Sequence, residues 1–197
     1  YLPKGEVVVA GGTTNLSFPE AIGGYSFEIK GSSDGFVARL DRKLHRVISY
    51  TYIGGAGEDR VTALTKDPSN RIYVCGETSS SDFPITSGVS GKQYRAGIDA
   101  FVAKFDSTLS KLLVGFYHGG NNDDRPRSIR LDQNNLIYVS GRTNSTTNFP
   151  VTFPVTVQIE VPFTWPKQYI DVPGGGGNVG QTDVFVATFT STGALRH

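Results

Sequence analysis

One cysteine, three histidines and no methionine leave this 197-residue chain few of the soft ligands and nucleophiles from which chemical motifs are built. A lone cysteine defines neither a disulfide framework nor a Cys/His metal site. Cys75 sits inside the apolar run Ile72-Tyr73-Val74-Cys75, where it reads as a small buried hydrophobe. His45, His118 and His197 have no cysteine or second histidine at ligand spacing, so they read as structural or solvated. Gly-x-Ser-x-Gly, His-Glu-x-x-His and phosphate-loop patterns are all missing. The glycine run Gly174 to Gly177 precedes a strand-like segment rather than a helix, which gives a phosphate cradle no support. The expectation is a protein that is not an enzyme, with no cofactor and no metal.

Charge of one sign is missing too. Nineteen Lys and Arg face eighteen Asp and Glu, a net charge of +1 without any basic run, which argues against nucleic acid as a partner. No apolar stretch approaches the ~20 residues that a membrane-crossing helix needs, so no membrane span is expected. The chain opens at Tyr1 without a charged and then apolar leader, and with the absence of Met this suggests a processed or truncated piece. Apolar residues at helical spacing over a dozen positions are likewise absent. What the chain has instead is 24 Gly and 10 Pro between short Val/Ile/Tyr/Phe runs, the makeup of many short strands joined by tight turns.

Those runs repeat. Val7-Val8-Val9-Ala10-Gly11 returns as Ile72-Tyr73-Val74-Cys75-Gly76 and as Ile137-Tyr138-Val139-Ser140-Gly141, each 65 residues after the last, and Thr13, Thr78 and Thr143 keep the step. Phe18-Pro19, Phe83-Pro84 and Phe149-Pro150 follow, the third displaced by one. Asp34-Gly35-Phe36-Val37-Ala38 returns as Asp99-Ala100-Phe101-Val102-Ala103 and Asp183-Val184-Phe185-Val186-Ala187. Ile53-Gly54-Gly55 through Glu58-Asp59-Arg60 corresponds to His118-Gly119-Gly120 through Asp123-Asp124-Arg125. A fixed period of this length marks a repeat architecture. The chain reads as one array over residues 1–197, with copies at about 1–60, 61–125 and 126–197.

One period resolves into four strands. Strand a covers Val61 to Lys66 and ends in the turn Asp67-Pro68-Ser69-Asn70, where Pro presets φ and Asn tolerates the left-handed region. Strand b is Arg71 to Gly76, strand c Asp99 to Phe105 and strand d Lys111 to Tyr117. Strand b is apolar at nearly every position, which requires cover on both faces. A four-stranded antiparallel sheet packed between two others is a β-propeller blade. Strand c, with Lys104 on one face, is expected nearer the outer edge of its blade. The fold class is therefore all-β, with about three blades of 65 residues, too few to close a ring of ~4 to 8.

The aliphatic-Tyr-Val-x-Gly strand, the Thr/Ser loop ending in Phe-Pro, the Gln-Tyr pair, Asp-Ala-Phe-Val-Ala-Lys and Tyr-x-Gly-Gly-x-x-x-Asp-Asp, at their clearest between Arg71 and Arg125, together resemble the SBBP-type β-propeller repeat. The resemblance implies a propeller, commonly on large secreted or surface proteins of bacteria and archaea, and brings no agreed catalytic residues.

Three further features carry candidate chemistry. Asp34, Asp99 and Asp183 precede the c strands, while Glu58, Asp59, Asp123 and Asp124 stand in equivalent loops. Their recurrence favours turn capping over calcium, which needs six to eight ligands. Asn15-Leu16-Ser17 and Asn144-Ser145-Thr146 also satisfy the N-glycosylation pattern. The third copy carries an enlarged loop, 151–182: Pro84 to Asp99 is 15 positions, but Pro150 to Asp183 is 33. Within it Val151, Phe153, Val155, Val157, Ile159, Val161, Phe163 and Trp165 alternate strictly with other residues, giving an extended segment with one apolar face. That face either enlarges its own blade or docks on a neighbour. The docking reading assigns partner binding to Val155, Val157, Ile159, Val161, Phe163, Trp165 and Tyr169. The favoured function is a non-catalytic extracellular structural or interaction scaffold, as in a surface layer, sheath or filament, whose partner is another copy or a neighbouring surface subunit. The alternative is a glycan- or peptide-binding propeller domain of a larger secreted protein.

Overall fold

The computed structural model describes residues 2–14, 23–150, 156–157, 170–171 and 182–196, and every extended repeat motif within them forms a strand. After a short 3-10 turn at Pro3–Gly5 come β1 (Val7–Thr13), β2 (Asp34–Leu40), β3 (Val47–Ile53), β4 (Asp59–Lys66), β5 (Ile72–Thr78) and β6 (Asp99–Phe105). Then follow β7 (Leu112–His118), β8 (Asp124–Leu131), β9 (Ile137–Thr143), β10 (Thr156–Val157), β11 (Ile170–Asp171) and β12 (Asp183–Phe189). They make three antiparallel blades in the orders β1-β2-β3, β4-β5-β6-β7 and β8-β9-β12, with β10 paired to β11. In the repeat's own terms these are b-c-d, a-b-c-d and a-b-c. The fold is all-β, with blades of a β-propeller that are not closed into a ring.

Turn chemistry sets the pairing. Asn70 and Asn135 in the a–b turns, Leu44, Leu109 and Gly193 in the c–d turns all have positive φ. The Asp that opens each turn accepts N–H groups from its far side: Asp67 from Arg71 at 2.9 Å, Asp106 from Ser110 at 2.7 Å and Asp132 from Leu136 at 2.8 Å. Glycine at 193 takes the left-handed backbone without a Cβ penalty, while Asn is the side chain that tolerates it next best. Strand a carries a bulge at the same place twice, between Val61 and Ala63 and between Pro126 and Ser128. A bulge on an edge strand is where Pro126, lacking an N–H, costs least.

The middle blade shows why strand b has no polar face. Ile72, Val74, Phe101, Ala103, Phe105 and Tyr117 pack with Val37, Ile53 and Leu2 toward the first blade. Tyr73, Cys75, Ala100, Val102, Val114 and Phe116 pack with Ile129, Val139, Phe185 and Phe189 toward the third. Each fully buried Val, Ile or Phe contributes roughly 1.5–3 kcal/mol, so both faces are needed. β6 is third of four in its sheet, as expected of strand c, yet all seven of its residues are buried. Lys104 achieves this by laying its stem on Tyr73, with Nζ 5.0 Å from the ring centre and 3.0 Å from the Ser191 carbonyl of the third blade.

The b–c loops cover the outer edge of strand d. Tyr52 N–H donates to Ser26 O at 3.0 Å, and Tyr117 N–H to Gly91 O at 3.0 Å. An edge with its donors occupied does not recruit a foreign strand.

Candidate functional site

The residues assigned to partner binding fall on the enlarged loop. Val155, Ile159, Val161, Phe163, Trp165 and Tyr169 lie outside the described residues. Of this set only Val157 is placed, through the backbone register Val157 with Ile170 and Thr156 with Asp171.

The recurring acidic loops come together at the blade junctions. Between blades one and two, Asp59 N–H donates to Ser33 O at 2.9 Å; between blades two and three, Asp124 N–H donates to Ile98 O at 2.5 Å. The same stitch is thus made twice, 65 residues apart. Beside it, Asp59 Oδ2 accepts from Gly55 N–H at 2.8 Å and Ser80 Oγ at 2.6 Å. Asp124 Oδ2 accepts from Gly120 N–H at 2.7 Å and Ser145 Oγ at 2.8 Å. Asp34 accepts from the N–H groups of Lys30 and Gly31, and Asp99 from that of Arg95. These are local caps of the kind Asp makes, as its recurrence suggested.

Glycine is required between them. A Cβ on Gly54 would stand 2.7 Å from Asp34 Cγ and from Asp59 Oδ2, and one on Gly119 would stand 2.5 Å from Asp99 Oδ1 and 2.8 Å from Asp124 Oδ2. The Gly-Gly pair therefore lets two carboxylates from adjacent blades share one small space. Burial, the like charge nearby and a missing donor all disfavour ionisation there. Asp34, Asp59 and Asp124 are pushed above the usual carboxylate range, chiefly by burial, and Asp99 up to about 7. Asp99 Oδ1 and Asp124 Oδ1 have no hydrogen-bond partner. Among the described residues, no three His, Cys, Asp or Glu side chains gather where they could hold a metal ion.

His118 is the remaining buried titratable group at this junction. It packs edge-on against Phe149 at 4.8 Å and Phe189 at 5.1 Å, and burial pushes it down to about 3. His45 is exposed. Cys75 is buried, and that burial pushes its thiol up to about 12, far from nucleophilic.

One cluster went unseen in the sequence. Glu77 on β5 takes Arg125 Nη1 of the third blade at 2.8 Å and Arg60 Nη2 at 3.1 Å. With Ser33, Glu58, Asp59 and Ser79 these side chains line an open polar cleft across the ends of the inner strands. Arg60 and Arg125 recur at the repeat spacing, but Gly12 and Arg142 stand where Glu77 would, so repetition gave no signal.

Residues 50–84 match the SBBP family, described as a beta-propeller repeat. The similarity covers 35 of the 197 residues. The matched stretch runs from β3 of the first blade through β4 and β5 to Phe83-Pro84, so it holds the Gly54-Gly55 pair, Asp59 and Ser80 of the first junction, while Ser33 and Asp34 lie before it. No curated protein matches the chain. At the end of the matched stretch, Phe83 is buried against Phe101 at 4.5 Å. Its N–H donates to Tyr117 Oη at 2.9 Å, and that hydroxyl donates to Ser80 O at 2.8 Å. The Phe-Pro signature is a lock on strand d, not a ligand site.

Proposed function

We propose that the chain is a non-catalytic structural or interaction module that works outside the cell, as part of a surface layer, sheath or filament. The carrying observation is that its recurring polar residues are consumed in joining blades. Asp59 and Asp124 cap and stitch, Ser80 and Ser145 bond to them, and Tyr117 locks its loop, which leaves no nucleophile-and-base pair among these groups. A β-propeller repeat is an architecture suited to structural and interaction roles, though fold alone never fixes function. The extracellular placement is supported by the SBBP-type repeat, whose resemblance points to secreted and surface proteins.

In this reading the enlarged loop is the arm that touches a neighbour, with Trp165 as its anchor, because buried aromatics dominate interface energetics. Replacing Ile159, Phe163 and Trp165 together with Ser tests it. Loss of assembly with an unchanged melting transition supports the arm; loss of folding with no separate assembly defect assigns the segment to its own blade.

The polar cleft of Arg60, Glu77 and Arg125 favours a second reading, a glycan- or peptide-binding domain. Saturable binding of an acidic glycan or peptide that Arg60→Ala and Arg125→Ala each weaken would select it.

A further inference from the structure

The two blade junctions are built alike but not filled alike. At the first, Tyr25 of the b–c loop reaches the second blade, its ring 6.2 Å from that of Phe105. One repeat later Ser90 stands in the place of Tyr25 and Phe189 in that of Phe105, and a pocket of about 180 Å³ opens between the second blade and the third. Ser90, Lys92, Gln93 and Arg95 of the loop line it, with His118 at the end of β7 and Phe189 of the third blade. Three of these residues differ in kind from their counterparts in the first copy, where Phe27, Glu28 and Ile53 occupy the places of Lys92, Gln93 and His118.

The exchanges change what the junction can hold. Lys92 and Arg95 are exposed, no Asp or Glu lines the pocket, and among the described residues neither cation forms a salt bridge. His118 is 2% exposed, and its Nε2 has no hydrogen-bond partner. A polar atom left unpaired in the interior costs stability, and the buried Ile53 shows that the junction closes without one. A neutral imidazole carries one donor and one acceptor nitrogen, so it can pair with a hydroxyl in either role. The Tyr117 and Phe189 side chains add apolar surface to the same walls. We propose that this pocket binds a compact polyhydroxylated carboxylate, of the size and chemistry of a uronic acid. Its carboxylate pairs with Lys92 and Arg95 in charge-assisted hydrogen bonds, and a ring hydroxyl bonds to His118. The site shares no residue with the cleft of Arg60, Glu77 and Arg125 and goes beyond the structural role.

The experiment is a titration of the 197-residue chain with glucuronate at pH 7, followed through the imidazole ¹⁵N and ¹H resonances, with His118 assigned by its loss in His118→Ile. At the efficiency of ordinary small ligands, about thirteen non-hydrogen atoms give a Kd of about 1 mM. The His118 resonances are expected to move saturably while those of the other two histidines stay in place. Glucose, which has the ring and hydroxyls but no carboxylate, is expected to bind about tenfold more weakly or worse. Lys92→Gln, Arg95→Gln and His118→Ile, read by calorimetry, are each expected to weaken glucuronate binding about fivefold or more. Arg60→Ala is expected to leave it unchanged, which separates this site from the polar cleft. Lys92 and Arg95 are exposed and isoleucine is the residue of the preceding copy, so far-UV circular dichroism of the three variants is expected to match wild type. His118 resonances that stay still up to about fifty times the expected Kd, glucose that binds as tightly as glucuronate, or any of the three variants binding as wild type would each overturn the site.

Discussion

Asp99 and His118 sit within one junction and respond to pH in opposite senses. Asp99, raised to about 7, holds its proton more tightly in the folded chain than in the unfolded one. Its contribution to stability is full below the ordinary carboxylate value near 3.8 and is lost as pH rises through about 7. His118 is lowered to about 3 from 6.5, so its contribution is full above 6.5 and is lost as pH falls toward 3. Asp99→Asn is expected to raise the melting temperature at pH 8 relative to wild type more than at pH 5. His118→Ile, which copies the Ile53 of the preceding repeat, is expected to raise it at pH 4 relative to wild type more than at pH 7. Melting curves across pH 4 to 8 decide the matter. A variant whose pH profile runs parallel to wild type would remove that residue from the account. Neither residue's part in the junction was written in the sequence. Asp99 was visible as a recurring turn residue, but its closeness to Asp124 across Gly119 crosses from one blade to the next, and no local pattern encodes that.

The same strand position means different things in different copies. Val102 in β6 and Val186 in β12 occupy equivalent places, yet the first is buried under the third blade and the second faces outward. Val102→Ala should cost about 2 kcal/mol, the transfer and cavity price of two buried methyl groups. Val186→Ala should stay within about 0.5 kcal/mol. Denaturant unfolding at low protein concentration makes the comparison, and equal losses would refute the open third face. Element placement was largely legible. Strand c falls at Asp99–Phe105 as the motif implied, and the left-handed Asn70 appears where the turn chemistry required it. The ends were less so: β4 begins at Asp59 rather than Val61, and β5 runs on to Thr78 rather than Gly76. Those extra residues are polar and pair as Asp59 with Thr78. What holds them in the sheet is the neighbouring blade, so local propensity had no reason to include them. Strand c misled in another way. Lys104 suggests a solvated face, but a long stem can lie on Tyr73 while its ammonium reaches a carbonyl.

At the scale of the whole molecule, the period of 65 residues gave blade number and order, because each copy repeats both the strands and the turns that pair them. It gave nothing about Glu77, which occurs in one copy only, and the apolar alternation of the enlarged loop falls outside the described residues. The junction itself has a wider consequence. Since the bond from Asp59 N–H to Ser33 O is remade by Asp124 N–H to Ile98 O, adjacent blades recognise each other through residues that recur at the repeat spacing. Duplicating residues 61–125 in tandem would therefore keep this stitch on either side of the new unit, although the two middle-type faces it brings together do not meet in the present chain. A gene that lengthened by repeating such a unit would inherit the stitch with each copy, and would have to solve anew only the side-chain packing between the blade faces.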